Sequence, residues 1–275
     1  MNYWFGEFAP QRVLLDLGVV QIFWYSVLVV FGIVVAYSVV RRLYLRDNES
    51  DKDISDLSFY LIVCGLIGAR LWHVFVFQWG YYASRPSEIL KIWEGGIAIQ
   101  GAIIAGLLCI VFFAHRKKIS LGYFTDIIAV GLALGQAIGR WGNFFNQELY
   151  GRPTDLPWGI FIEPVNRVPG FESFTHFHPV FFYESVLNAL LFLSLFLLIR
   201  IKRPEGFVAS VYLMGYGIIR FLVDFVRIDP MPTALGLRSS QWISLAFVAA
   251  GLFFLFKKTA RQWRDGRDSN PRPLA

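Results

Sequence analysis

Charge is scarce in this chain. Of its 275 residues, 17% are Asp, Glu, Lys or Arg and 56% are hydrophobic. A soluble globular domain carries about a quarter charged and roughly half apolar residues. Cysteine is scarcer still, with Cys64 and Cys109 alone, both inside apolar runs where a thiol acts as a small hydrophobe. Two such residues do not reveal a redox compartment. A basic leader before a short apolar stretch is also missing, so no cleavable signal peptide is expected. The long apolar runs do not alternate in polarity, which excludes a transmembrane barrel. No internal repeat and no matched pair of broken helices points to an inverted-repeat transporter.

What is present is a series of seven apolar stretches, at about 19–40, 58–79, 92–114, 124–145, 180–199, 207–226 and 238–256. A bilayer core of about 30 Å needs about 20 apolar residues per spanning helix. The expected fold is therefore all-α: a polytopic membrane protein of seven transmembrane helices over residues 1–256. Residues 146–179, with five prolines (Pro153, Pro157, Pro164, Pro169, Pro179), form a small extracytoplasmic cap of turns and short strands. Residues 257–275 are expected to be a basic, disordered cytoplasmic tail.

The net charge of +6 could suggest nucleic acid, but its placement does not. Arg41, Arg42, Arg46 and Lys52, then Arg116, Lys117 and Lys118, then Arg200, Lys202 and Arg203, occupy alternate loops, and the tail adds six more basic residues. By the positive-inside rule the N-terminus lies outside and the C-terminus in the cytoplasm.

Glycines at 131, 135 and 139 suit close helix packing. Three arginines, Arg70, Arg140 and Arg220, fall within spans, where each costs about 2.5–3.5 kcal/mol on insertion scales. Tyr216, Arg220, Asp224 and Arg227 recur at four, four and three residues, one polar stripe along a helix. Arg140, Asn143 and Gln147 share a face if their helix continues that far. With Tyr25, His73, Glu94, Gln100, His178, Tyr183 and Glu184, nearly every polar group at membrane depth sits in the outer half. Arginine outnumbers carboxylates there, so an uncompensated pair, Arg140 and Arg220, is expected to meet a lipid phosphate in a cavity facing the outer leaflet.

The segment Gly139-Arg140-Trp141-Gly142-Asn143-Phe144-Phe145-Asn146-Gln147-Glu148, followed by Gly151-Arg152, resembles the signature of the bacterial prolipoprotein diacylglyceryl transferase family. Gly68-Ala69-Arg70, Trp93-Glu94-Gly95-Gly96-Ile97-Ala98, His178-Pro179 with Tyr183-Glu184, and Tyr216-Gly217 through Arg220-Phe221 to Arg227 extend the match along almost the whole chain. The resemblance implies transfer of a diacylglyceryl group from phosphatidylglycerol to the cysteine of a prolipoprotein signal peptide, giving a thioether and glycerol phosphate. No metal or cofactor is needed for it. The implied catalytic residues are Arg140, Arg220, Asn143, Glu148 and Tyr25. The implied substrate-binding residues are Arg140, Arg220, Arg70, His73, Gln100, Gly101, Tyr216, Asp224, Arg227 and Gly151.

Two positions depart from the family pattern. Gln100 stands where a Gly-Gly-x-x-x-His-Gly motif has histidine, and it is no base near neutral pH. His73, His178, Glu148 and Asp224 remain as proton acceptors. Asp224 stands where glutamate is common, keeping the charge but shortening the reach. An anion transporter, or an inactive homologue that only binds lipid or precursor, are the competing readings. His176 and His178 form His-x-His without further metal ligands.

Overall fold

In the computed structural model, residues 3–18, 20–48 and 50–268 are described, with backbone alone for Glu94 and 258–268. Nine helices and three two-stranded sheets are found among them. Six helical segments are long and apolar enough to cross a membrane: Trp24–Leu45, Lys52–Phe77, Ile99–Lys117, Leu121–Asn146, Val180–Leu198 and Ser239–Lys257. The remaining expected span is an apolar helix of 17 residues, Phe207–Val223. By contacts the chain divides into two compact units, Met1–Val39 with Thr125–Ala275, and Val40–Phe124.

The first unit opens with an antiparallel hairpin, β1 (Val13–Asp16) and β2 (Gln21–Phe23). The first apolar run therefore becomes helix α1 only at Trp24, five residues later than expected. Asp16 explains the delay: its carboxylate accepts the Gly18 amide at 2.8 Å and the Gln21 side-chain amide at 2.8 Å, while Gly18 takes φ +78°. That turn needs a residue free of Cβ clash. Helix α1 (Trp24–Leu45) begins in this unit and passes Gly32 against Gly135, where a Cβ built on Gly32 would lie 3.0 Å from the Gly135 carbonyl oxygen.

The second unit contains α2 (Lys52–Trp72), a π-turn at His73–Phe77, the short helix α3 (Trp79–Ser84), two 3₁₀ turns and α4 (Ile99–Lys117). Helices α2 and α4 touch backbone to backbone: a Cβ on Gly101 would come within 2.1 Å of the Gly68 carbonyl oxygen. Small residues permit that approach, the usual basis of transmembrane helix pairing. The expected start of this span at residue 92 falls instead on a 3₁₀ turn and on Gly95 and Gly96, both at positive φ.

Helix α5 (Leu121–Gly139) crosses from the second unit into the first, and α6 (Trp141–Asn146) follows after a joint at Arg140. The remaining elements are β3 (Ile160–Phe161), β4 (His176–Phe177), α7 (Val180–Leu198), α8 (Phe207–Val223), β5 (Thr233–Ala234), β6 (Leu237–Arg238) and α9 (Ser239–Asp268). The proline-rich segment packs with Phe181 of α7 in an apolar cluster of Tyr150, Ile160, Ile162 and Phe177, to which the antiparallel strands β3 and β4 contribute Ile160 and Phe177. Helical backbone of α9 continues into the basic tail as far as Asp268, and 269–275 lie outside the described residues.

Helix α8 receives its start from another helix. Asp126 on α5, buried to 3%, accepts the backbone amides of Gly206 at 2.9 Å and Ala209 at 2.8 Å. The first N–H groups of a helix lack intrahelical partners, and a carboxylate there also meets the positive end of the helix dipole.

Candidate active site

Glu184, in the first turns of α7, is the hub of the first unit's polar cluster, although it stands in neither the implied catalytic nor the implied substrate-binding set. It is 2% exposed. One of its carboxylate oxygens meets Arg140 Nε and the other Arg220 Nη1. The two arginines expected to form an uncompensated pair thus share one buried carboxylate. Arg220 also pairs with Asp224 Oδ1 at 3.1 Å, one helical turn on. Ser240 donates to the other Asp224 oxygen.

The stripe expected on α8 does not stay helical to its end. The helix closes at Val223, tight turns carry the chain to Val226, and Arg227 enters a bridge opposite Gly151. From there Arg227 reaches Asp229 at 2.7 Å, Asp224 at 3.9 Å and Glu184 at 3.9 Å. Arg238 completes the set, meeting Asp229 at 3.1 Å and donating to the carbonyls of Asp224 and Arg227 at 3.2 and 3.0 Å. Burial opposes the charge on Asp229, but the Arg227 hydrogen bond and the charges of Arg227 and Arg238 hold its carboxyl below the usual range. Four guanidiniums, Arg140, Arg220, Arg227 and Arg238, therefore meet three carboxylates, Glu184, Asp224 and Asp229. One positive charge remains in excess.

That excess is best exposed at Arg140, whose side chain is 21% accessible. Its two terminal nitrogens donate to none of the described residues, whereas Arg220 has both of its own committed to carboxylates. The backbone at Arg140 stays α-like, so α5 and α6 run almost continuously to Asn146. Gln147 then turns left-handed at φ 52° and leaves the face shared by Arg140 and Asn143. Its amide group goes to Glu163 instead, at 2.8 Å in both directions.

Asn143, 7% exposed, donates to Glu148 Oε1 at 2.9 Å, and Asn146 donates to the same oxygen at 3.2 Å. The second oxygen of Glu148 is left open among the described residues. Tyr25, at the start of α1 and 39% exposed, lays its ring on Gly142. A Cβ on that glycine would sit 2.6 Å from the ring. Gly151 is equally confined: a Cβ there would lie 2.8 Å from both His178 Cβ and Val226 Cγ1, which explains why the bridge to Arg227 uses glycine. Tyr216 stacks on Tyr212, a turn before Arg220.

A family model described as prolipoprotein diacylglyceryl transferase matches residues 12–257. The phosphatidylglycerol–prolipoprotein diacylglyceryl transferase of Synechococcus elongatus is 41% identical over 90% of this chain and 87% of its own. That of Gloeobacter violaceus is 41% identical over 94% and 97%, and that of Fervidobacterium nodosum 38% identical over 94% and 89%. The chain belongs to the prolipoprotein diacylglyceryl transferase family.

The remaining residues expected at this transferase's site lie in the second unit. Arg70, 6% exposed, donates to five backbone carbonyls, those of Glu88, Ile89, Lys91, Gly95 and Gly96, at 2.6–3.4 Å. It also lies over the Tyr82 ring. Every nitrogen of this guanidinium is engaged, so Arg70 builds segment 86–96 rather than offering donors to a ligand. His73 lines the same wall, in a polar cavity of about 350 Å³ that includes Gln78, Tyr81 and Glu88. Gly101 is spent on the contact with Gly68, and Gln100 is exposed in the first turn of α4.

The two exterior histidines have separate tasks. His176 stacks on Tyr3 at 3.5 Å and bonds the Gly6 carbonyl at 3.0 Å. His178 meets the Tyr183 hydroxyl through Nδ1 at 3.0 Å, and burial pushes its imidazole below the ordinary value. Among the described residues no three His, Cys, Asp or Glu gather as a metal site.

Proposed function

We propose that this chain moves the diacylglyceryl group of phosphatidylglycerol to the cysteine thiol of a prolipoprotein signal peptide, forming a thioether and releasing glycerol phosphate. The observation that carries this reading is the guanidinium excess around Glu184, with the free end of Arg140 as its most accessible part. A phosphodiester bears one negative charge, and that is the charge the cluster lacks.

Displacement of the headgroup breaks a carbon–oxygen bond and leaves a second negative charge on the phosphate. Donors already fixed toward a developing charge usually supply the largest catalytic term. Glu184 does the fixing, because each of its oxygens orients one guanidinium. Arg140 contacts the phosphate directly. Arg220, Arg227 and Arg238 hold the surrounding field positive without needing to touch the lipid. The incoming thiol, with a free pKa of about 8.5, has to lose its proton. Glu148 is the acceptor proposed here, since two amides hold one of its oxygens while the other is open. Asp224, engaged by Arg220 and Ser240, is less suited to that role. Tyr25, Tyr216 and Gly151 shape the wall.

In the same reading the chain spans the bacterial plasma membrane seven times, N-terminus outside and C-terminus in the cytoplasm. The 17 residues of α8 rise about 26 Å, and the turns through Val226 extend them toward the core thickness of about 30 Å. Segment 146–179 is then the extracytoplasmic cap, and the site faces the outer leaflet. The test supplies purified protein with phosphatidylglycerol and a cysteine-bearing signal peptide. Mass gain of one diacylglyceryl unit on the thiol is expected. Binding of both substrates without mass gain would leave an inactive homologue.

A further inference from the structure

A second cavity, of about 830 Å³, lies wholly within the second unit, between α2 and α4. Its volume falls in the range of small-molecule sites, about 300–1,000 Å³. The cause is the close packing already described. Where Gly68 meets Gly101 and Ala105, no side chain fills the seam, and Cys64 and Cys109 continue it with small thiols. Leu71, Leu108 and Phe112 flank this floor and stand 45%, 66% and 67% exposed. The result is an apolar furrow, running along positions 56–71 of α2 for about 22 Å of helix.

One end of the furrow is charged. Asp56, Arg116 and Lys117 line that mouth. Lys117 is already paired with Asp53 at 2.6 Å and with Asp56 at 3.9 Å. Arg116 is exposed and forms no ion pair with the described residues, and Lys118 follows it. The lining at the mouth thus holds two basic side chains, Arg116 and Lys117, against one acid, Asp56.

We propose that this furrow binds an anionic glycerophospholipid, one acyl chain lying over Gly68 and the two thiols and its phosphate held by Arg116. The charged mouth of this site stands at the end of α2 opposite Arg70. An apolar channel alone accepts any lipid tail, whereas the unpaired guanidinium selects for the headgroup. A basic side chain at an anionic membrane surface contributes about 1 kcal/mol, which is about a fivefold preference. The site is independent of the transfer reaction and persists whether or not that reaction is confirmed.

The test uses the full chain in nanodiscs of mixed phosphatidylglycerol and phosphatidylcholine, with a trace of either lipid carrying a photoactivatable acyl chain. After irradiation, adducts are mapped to peptides. The anionic analogue is expected to label peptides covering 60–71 and 105–113 about five times more than the zwitterionic one, with adducts elsewhere as the internal reference. Arg116→Gln should bring that ratio close to one. Because the chain has no cysteines besides Cys64 and Cys109, a bulky maleimide applied beforehand blocks the furrow specifically and should remove these adducts. Equal labelling by both headgroups with no response to Arg116→Gln would mean ordinary solvating lipid and overturn the proposal. Adducts that survive in protein whose mass shows both thiols carrying the maleimide would overturn it equally.

Discussion

Replacing Glu184 by Gln should disable transfer more than any other change to a residue that does not touch the lipid. The carboxylate is 2% exposed and carries Arg140 on one oxygen and Arg220 on the other. Breaking a buried pair by removing one partner costs about 3–5 kcal/mol, because the remaining charge stays buried. Glutamine keeps one acceptor oxygen but turns an amide N–H toward the second guanidinium, so about half of that loss is expected in stability. The larger effect falls on rate. An arginine released from its anchor moves by about 1 Å, and misplacement of that size costs about 10²-fold. The assay is diacylglyceryl transfer to a signal peptide in reconstituted membranes, normalised to folded protein by its unfolding transition. Glu184→Asp retains the charge but reaches one guanidinium only, and should fall between wild type and glutamine. If Glu184 acts through Arg140, the double variant with Arg140→Gln should be no slower than Arg140→Gln alone, a non-additivity expected of groups that work as one unit. Near wild-type turnover for Glu184→Gln, or strict additivity in the cycle, would refute the shared-anchor argument.

Arg140→Ala should abolish transfer while leaving expression intact, as measured by product mass. Arg70→Lys should loosen segment 86–96, since three ammonium N–H groups cannot meet five carbonyls. Each lost bond from a charged donor is worth about 1.5–3 kcal/mol, so tryptic cleavage after Lys91 should quicken by at least about tenfold. Asp126→Ala should cost about 1–3 kcal/mol in denaturant unfolding by stripping the cap from α8, with turnover per folded molecule unchanged. Asp229, whose folded pKa is depressed, adds stability that is complete above its unfolded value of about 3.9 and is lost as pH falls through the lower folded value. Asp229→Asn should therefore flatten the acid limb of the stability profile below about pH 4 and leave the neutral region's slope alone.

The apolar runs made the helices legible, because burial in lipid leaves a dense and continuous signal. The signature from Gly139 to Glu148 likewise placed Arg140, Asn143 and Glu148 in one local structure. What escaped were relations between a side chain and a distant or anonymous partner. Glu184 sits in an otherwise apolar helix, and nothing local to it indicates that Arg140 and Arg220 arrive from two other elements. Arg70 looked like a charge in need of an anion, but its five acceptors are backbone carbonyls, which carry no residue identity. Asp126 is spent on amides of a helix about 80 residues later, again on backbone. The hairpin at 13–23 was hidden because its second strand shares the apolar composition of the helix that follows.

The sharing of one carboxylate by two arginines also resolves an electrostatic difficulty. Two guanidiniums side by side in a low-dielectric site would repel one another, and a phosphate alone would have to hold them together. With Glu184 between them the pair is assembled before any lipid arrives, and reorganisation is not required when the headgroup departs. A fully neutralised cluster would hold no attraction for a phosphodiester, and a fully uncompensated one would grip the doubly charged product too well to release it. Three acids against four arginines leave a single charge, enough to draw the substrate. It follows that adding an acid to this ion-paired cluster, from which Glu148 stands apart, should be as harmful as removing an arginine. Ser240→Asp, beside Asp224, is the sharpest form of that experiment. It should weaken phosphatidylglycerol binding without touching Arg140 or Glu184, whereas Ser240→Ala should lose only one hydrogen bond to Asp224.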